Sequence, residues 1–422
     1  MPFPPVGIIG SVFWKEITQF DLVDSMSGKA IKSGIFLFFI CISNQYGQKF
    51  DSLALTSPMG WNGWNSFKCR INEIVIREVA DAMVTNGMKE AGYTFLVLDD
   101  CWQWGRDTNG CIVADPDRFP GGMKKLGEYI HSLGMKYGIY SDAGTSTCRG
   151  RPGSKGHEFQ DAVTYASWGV DYLKYDWCSH GTQDAVSSYR LMRDALYKAG
   201  RPMVFSICEW GKNKPWEWGK DIGHLWRTTP DIIDCFDGRN IWGGMGILQI
   251  IDRMAELSSF SGPGHWNDAD MLQVGNGKLT PDEERLHFSM WAMFSSPLIA
   301  GNDIRHMSDE TRSILTNREV IAIDQDKLGI SAFRWMKTGD LEIWVKPLDR
   351  GDFAVCLLNR GTGTIPFDQD LKMTMKNQYK LEDSYSVRDL WKHMVVGNSK
   401  EHLRGSLGPH AVMLVRLTAK TD

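Results

Sequence analysis

The sequence predicts an α/β architecture: a (β/α)8 TIM barrel followed by a C-terminal antiparallel β-sandwich. Three observations carry that expectation. Eight short apolar runs, each ending in polar residues, recur between Pro58 and about Asp326. Stretches with helical spacing separate them, and after about Leu328 the pattern changes to short alternating segments broken by Gly, Asp and Asn. Apolar strands that alternate with helices form parallel sheets covered on both faces, and eight such units close naturally into a barrel. An open, doubly wound sheet is the main alternative.

In chain order the runs are Met59-Gly60-Trp61, Phe95–Asp100, Tyr137–Asp142, Asp171–Asp176, Met203–Glu209, Leu225–Asp231, His265–Met271 and Pro297–Asp303. Between the first two, a helix is expected over Ile74–Ala91, with Val75, Val79, Ala82 and Met83 on its apolar face. Thr280-Pro281-Asp282-Glu283 reads as a capping box with proline at the first helical position. Beyond the barrel, Leu341–Val345, Phe353–Leu358 and Ala411–Leu417 read as sandwich strands. The expected domains are a barrel over 53–328 and a sandwich over 329–422.

Ahead of them, Gly34–Ser43 (GIFLFFICIS) follows Lys29 and Lys32 and ends in small and polar residues, the layout of a secretory signal too short to span a bilayer comfortably. A signal over 26–47 starting at Met26 makes 1–25 a spurious extension, and it implies a secreted or periplasmic protein with no stable membrane insertion after signal removal. Of nine cysteines, Cys41 lies in that segment; export puts the other eight where pairing is permitted.

With 422 residues, 42% hydrophobic and 23% charged, the composition is that of an ordinary globular chain. A net charge of −4 removes the electrostatic basis for gripping a phosphate backbone, so nucleic acid is excluded as a partner. Self-association is left open. His157-Glu158 lacks the second histidine of a zinc-protease helix, Gly244-Met245-Gly246 lacks the third glycine of a dinucleotide turn, and no cofactor or metal is implied.

Chemistry concentrates at the strand ends, the face where a barrel carries its active site. In Lys174-Tyr175-Asp176, alternation puts Lys174 and Asp176 on one face, and the cation favours an ionised carboxylate suited to a nucleophile. Arg227 and Asp231 leave another strand end, offering a second carboxylate. Asp99, Asp100, Glu209 and Asp270 add acids able to accept bonds from sugar hydroxyls. Glycoside hydrolysis needs one ionised and one protonated carboxyl flanking the bond. A Mg²⁺ site made of the same acids, and a non-catalytic sugar-binding protein using the 17 tryptophans, are the readings from other classes.

Seven ordered stretches, PMGWNGWNSF (Pro58–Phe67), LDDCW (Leu98–Trp102), GIYSDAG (Gly138–Gly144), GVDYLKYDWC (Gly169–Cys178), CEWG (Cys208–Gly211), WRTTPD (Trp226–Asp231) and GPGHWNDADML (Gly262–Leu272), resemble glycoside hydrolase family 27, the α-galactosidases or melibiases. The likeness runs from about Leu55 to the C-terminus. It implies a retaining exo-glycosidase acting on terminal α-D-galactosyl residues of oligo- or polysaccharides, with Asp176 as nucleophile and Asp231 as acid/base. It further implies a sugar pocket of Trp61, Asp99, Asp100, Tyr140, Lys174, Glu209, Arg227, Asp270 and Met271, and the disulfides Cys69–Cys101 and Cys148–Cys178. Cys111, Cys208, Cys235 and Cys356 stay unassigned. Retention implies carboxyl groups roughly 5 Å apart. Relatives on the same scaffold cleave β-L-arabinopyranosides or α-N-acetylgalactosaminides. The Asp99-Asp100 pair and Glu209 favour galactose.

Overall fold

The computed structural model describes residues 48–372, 379, 382 and 384–419. The expected signal over 26–47 and the stretch before it lie outside the described residues. Eight strands are parallel neighbours: β1 (Met59–Asn62), β2 (Phe95–Val97), β3 (Lys136–Asp142), β4 (Tyr172–Asp176), β5 (Val204–Cys208), β6 (Leu225–Arg227), β7 (Trp266–Asp268) and β8 (Leu298–Ala300). Their spatial order is β8-β1-β2-β3-β4-β5-β6-β7. The ring closes between the last two, where Leu272 bridges Ala300 in parallel and its N–H donates to the Ile299 carbonyl at 2.8 Å. Each expected run overlaps one strand, with β1 running one residue past its run and β3 starting one residue before.

Several strands stop short of the expected ends because acidic side chains take over the backbone donors there. Asp99 accepts from the Asp100 N–H at 2.8 Å, Asp100 from Cys101 at 2.6 Å, and Asp270 from Met271 at 2.7 Å. A carboxylate that satisfies an adjacent N–H replaces a ladder bond and turns the chain away. The loop after β2 also carries a short hairpin, Gln103–Arg106 with Ile112–Ala114.

The helix expected over Ile74–Ala91 divides into Glu73–Thr85 and Met88–Ala91. Gly87 between them has φ 88°, a left-handed conformation that glycine adopts without penalty, and the Asn86 side chain accepts from the Met88 N–H. Its buried face is Ile76, Val79, Ala80 and Met83, so Val75 and Ala82 sit at the margin rather than the centre. The capping box at Thr280 forms as expected, with both reciprocal bonds to Glu283 and proline at the first helical position.

After the barrel come β9 (Phe333–Thr338), β10 (Leu341–Pro347), β11 (Phe353–Asn359), β12 (Ile365–Gln369), β13 (Tyr385–Asp389), β14 (Met394–Asn398), β15 (Leu403–Leu407) and β16 (Val412–Ala419). All their pairings are antiparallel, in a sheet of order β9-β10-β11-β16-β13-β14 and a second of β12-β15. Period-two alternation splits the central strand β11 between two cores. Phe353, Val355 and Leu357 join Phe367, Leu403 and Leu407 inside the sandwich, whereas Ala354, Cys356 and Leu358 join the barrel core. Helix Pro281–Phe294 lies where those cores meet. Its last nine residues, Leu286–Phe294, are all buried, as a helix covered on every side requires.

Candidate active site

Strand ends converge on a cavity of about 850 Å³. Nine of the eleven expected site residues line it: Asp99, Asp100, Tyr140, Lys174, Asp176, Arg227, Asp231, Asp270 and Met271. The other two are fully buried outside its lining. Trp61 donates its indole N–H to the Asn302 carbonyl and stacks edge-on against Phe67. Glu209 turns to Asn213, accepting from that residue's backbone N–H and, at 2.8 Å, its side-chain amide.

At the end of β4, Lys174 donates to Asp99 at 2.8 Å, and Asn62 donates to the same oxygen at 2.8 Å. The lysine expected to serve Asp176 therefore forms its direct ion pair across the barrel. Asp100 accepts from the Thr147 hydroxyl at 2.9 Å and the Arg149 N–H at 3.0 Å. Asp99 Oδ2 and Asp100 Oδ1 each accept two bonds, whereas Asp99 Oδ1 and Asp100 Oδ2 each accept one and keep a second lone pair for a hydroxyl.

Burial makes Asp176 hold its proton more tightly, raising it to about 7; Lys174 opposes the rise without cancelling it, and the Cys208 thiol bonds the carboxylate. This modifies the expected picture, because the desolvation of a carboxylate outweighs a cation already engaged elsewhere. Among the described residues Asp176 Oδ1 has no hydrogen-bond partner, and neither do the Tyr140 hydroxyl and Arg227 Nε. Unpaired polar atoms facing one cavity are what a polyhydroxylated ligand would satisfy.

Asp231 differs. Its side chain is 62% exposed, at the mouth. Partial desolvation favours its neutral form, but Arg227 and Lys174 outweigh that, and bonds from Arg227 Nη2 at 3.2 Å and the Trp210 indole at 3.1 Å hold its pKa below the ordinary carboxylate value. Arg227 also pairs with Asp270 at 2.7 Å, and burial pushes Asp270 up. Burial thus raises the proton affinity of Asp176, while the cations beside Asp231 lower that of Asp231.

Sequence reasoning passed over four residues here. Asn62 and Thr147 bind the Asp99-Asp100 pair. Trp210 bonds Asp231 from a backbone with φ 58°, strained for a residue with a side chain. Asp142 lies beside Asp176 in register and is raised to about 8 by burial and by Asp176's charge, against bonds from the Gly144 and Cys178 N–H groups. Trp210 and Asp142 stand inside quoted motifs, but the Asp231 that Trp210 bonds and the Asp176 beside Asp142 come from other strands, so nothing local marks their roles.

Both implied disulfides are present, Cys69–Cys101 and Cys148–Cys178; the second lines the cavity. Asp142, Cys148 and Cys178 gather metal-ligand atom types, but both sulfurs are spent in the disulfide. Among the described residues Cys111, Cys208, Cys235 and Cys356 form no disulfide.

With this geometry in hand, similarity to known proteins is informative. Residues 56–326 match the family model described as alpha galactosidase A, and 338–417 match the alpha galactosidase C-terminal beta sandwich domain. Alpha-galactosidase A of Cellvibrio japonicus is 52% identical over 383 residues, covering 88% of this chain and 94% of that protein. Alpha-galactosidase I from Mortierella vinacea has a crystal structure 37% identical to this chain, with a TM-score of 0.84 over 88% of this chain and all of that one. The alpha-galactosidase from Saccharomyces cerevisiae, solved with raffinose, is 32% identical with a TM-score of 0.83 over 88% of this chain and 100% of its own.

Proposed function

As a member of the α-galactosidase family that hydrolyses terminal α-galactosyl residues, the chain, we propose, acts by retaining double displacement with Asp176 as nucleophile and Asp231 as acid/base. The observation that carries this reading is the pairing of a buried carboxyl with one uncommitted oxygen and an exposed carboxyl in the same cavity. Asp176 attacks the anomeric carbon as the glycosidic C–O bond breaks, and Asp231 delivers its proton to the departing oxygen. Water then gives a proton to Asp231 while its oxygen takes the anomeric carbon, releasing Asp176.

The reaction needs a proton on Asp231, whereas the shifts in the free site favour it on Asp176. In the oxocarbenium-like transition state, positive charge develops against Asp176 and the departing oxygen becomes basic beside Asp231, so the distribution with the proton at Asp231 is the one the transition state favours. Asp99, Asp100, Tyr140, Lys174, Arg227 and Asp270 surround the ring and bond its hydroxyls; Met271 adds an apolar contact. Trp61 supports the floor from outside the cavity, and Glu209 fixes the loop of Trp210 through Asn213.

Export fits two disulfides and the apolar run at 34–43, since such bonds persist in oxidising compartments. The test of the catalytic assignment is turnover of p-nitrophenyl α-galactoside by wild type, Asp176→Ala and Asp231→Ala. Asp176→Ala is expected to lose all but a trace of activity and Asp231→Ala about 10²- to 10⁴-fold. Equal rates in all three would remove both roles.

A further inference from the structure

Trp242 is 87% exposed, and Ile241 beside it 90%, yet Trp242 lines the active-site cavity. A large aromatic side chain presented to solvent at the edge of a binding cavity invites a ligand face. The turn carrying it is held in one shape. Asn240 Oδ1 accepts from the Trp242 N–H at 3.0 Å and the Gly244 N–H at 2.8 Å, while Asn240 N–H donates to the Gly244 carbonyl at 3.1 Å. Gly243, at φ 86°, permits the tight return.

This turn is also fastened to the proposed acid/base. The Met245 N–H donates to the Asp231 carbonyl at 2.9 Å, and the Ile233 N–H donates to the Met245 carbonyl at 2.9 Å. Trp242 and Asp231 therefore belong to one hydrogen-bonded unit, and whatever Asp231 protonates departs alongside that indole. The leaving oxygen belongs to the group attached to galactose, so the surface beside Asp231 receives that group.

Resting on the α-galactosidase reading above, we propose that Trp242 is a specificity-determining residue whose exposed indole stacks the sugar ring attached to galactose and so favours a saccharide over an alkyl aglycone. Two observations favour a sugar over a lipid-like aglycone. Polar Asn240 and Lys68 line the same cavity as Trp242. Two further rim indoles lie under cations, Trp64 under Lys68 at 5.0 Å and Trp210 under Lys212 at 4.9 Å, which suits a ring with hydroxyls at its edge and C–H groups on its face.

The experiment compares kcat/KM on raffinose, methyl α-galactoside and octyl α-galactoside for wild type, Trp242→Ala and Trp242→Phe, with sedimentation of each. The raffinose-to-methyl ratio is expected to fall about fivefold to tenfold in Trp242→Ala and to recover within about twofold in Trp242→Phe. An unchanged ratio overturns the stacking role, as does an unchanged ratio accompanied by loss of an oligomer, which would give the face to a second copy of the chain. Equal losses on raffinose and octyl galactoside overturn the saccharide preference. Wild type inactive on all three substrates would instead bring down the α-galactosidase reading itself, a result separable from failure of Trp242.

Discussion

The barrel mouth and the seam between barrel and sandwich both gather acids and bases from distant parts of the chain, and they end in different states. At the seam, Glu342 accepts from Arg360 at 2.8 Å, Arg334 at 3.2 Å and the Trp344 indole at 2.9 Å, with Lys337 at 3.2 Å. Asp252, on the barrel helix Ile247–Met254, binds Arg334 at 2.7 Å and Arg360 at 2.8 Å. Every carboxylate oxygen there has a donor. At the mouth, Asp176 Oδ1, Arg227 Nε and the Tyr140 hydroxyl have no hydrogen-bond partner among the described residues. The same residue types stabilise where they are saturated and stand ready to react where they are left short.

Glu342→Ala should break the seam most visibly. It leaves three cations without their shared, fully buried carboxylate, costing about 3 kcal/mol. Thermal melting should show a midpoint lower by roughly 5 °C, with kcat of the folded enzyme unchanged. A wild-type midpoint would mean the saturated cluster contributes little and would erase the contrast with the mouth.

A smaller effect sharpens the other side of the comparison. Catalysis requires one proton on the Asp176–Asp231 pair, whichever carboxyl holds it in the empty site. Above about 7 the raised Asp176 ionises and no proton is left to release the leaving group. Below the depressed value of Asp231 both carboxyls are protonated and no nucleophile remains. The pH profile of kcat/KM should be a bell on the acid side, its alkaline limb near 7 falling about tenfold per pH unit. Activity still rising at pH 8 would contradict this proton count.

The fold was largely legible in the chain because its signals are local. Each strand is an apolar run, and the acids that end it, such as Asp99, Asp176 and Asp231, are also the groups that face the mouth. The split helix at Gly87 depends on a backbone φ that the apolar spacing of Ile74–Ala91 hides. The site was legible as an inventory but not as a circuit. Alternation places Lys174 beside Asp176, yet the ion pair goes to Asp99 because β2 and β4 meet only across the barrel interior. Trp210 and Asn62 reach Asp231 and Asp99 through the same kind of non-local contact. Ionisation was the hardest to read, since desolvation of Asp176 is a property of the closed barrel.

The central claim is that Asp176 takes the anomeric carbon before water does. Proton NMR of the first product formed from p-nitrophenyl α-galactoside, recorded before mutarotation, tests it directly. Two inversions at one carbon predict that α-galactose appears first and β-galactose only later. Initial β-galactose would require a single displacement by water and would contradict the account.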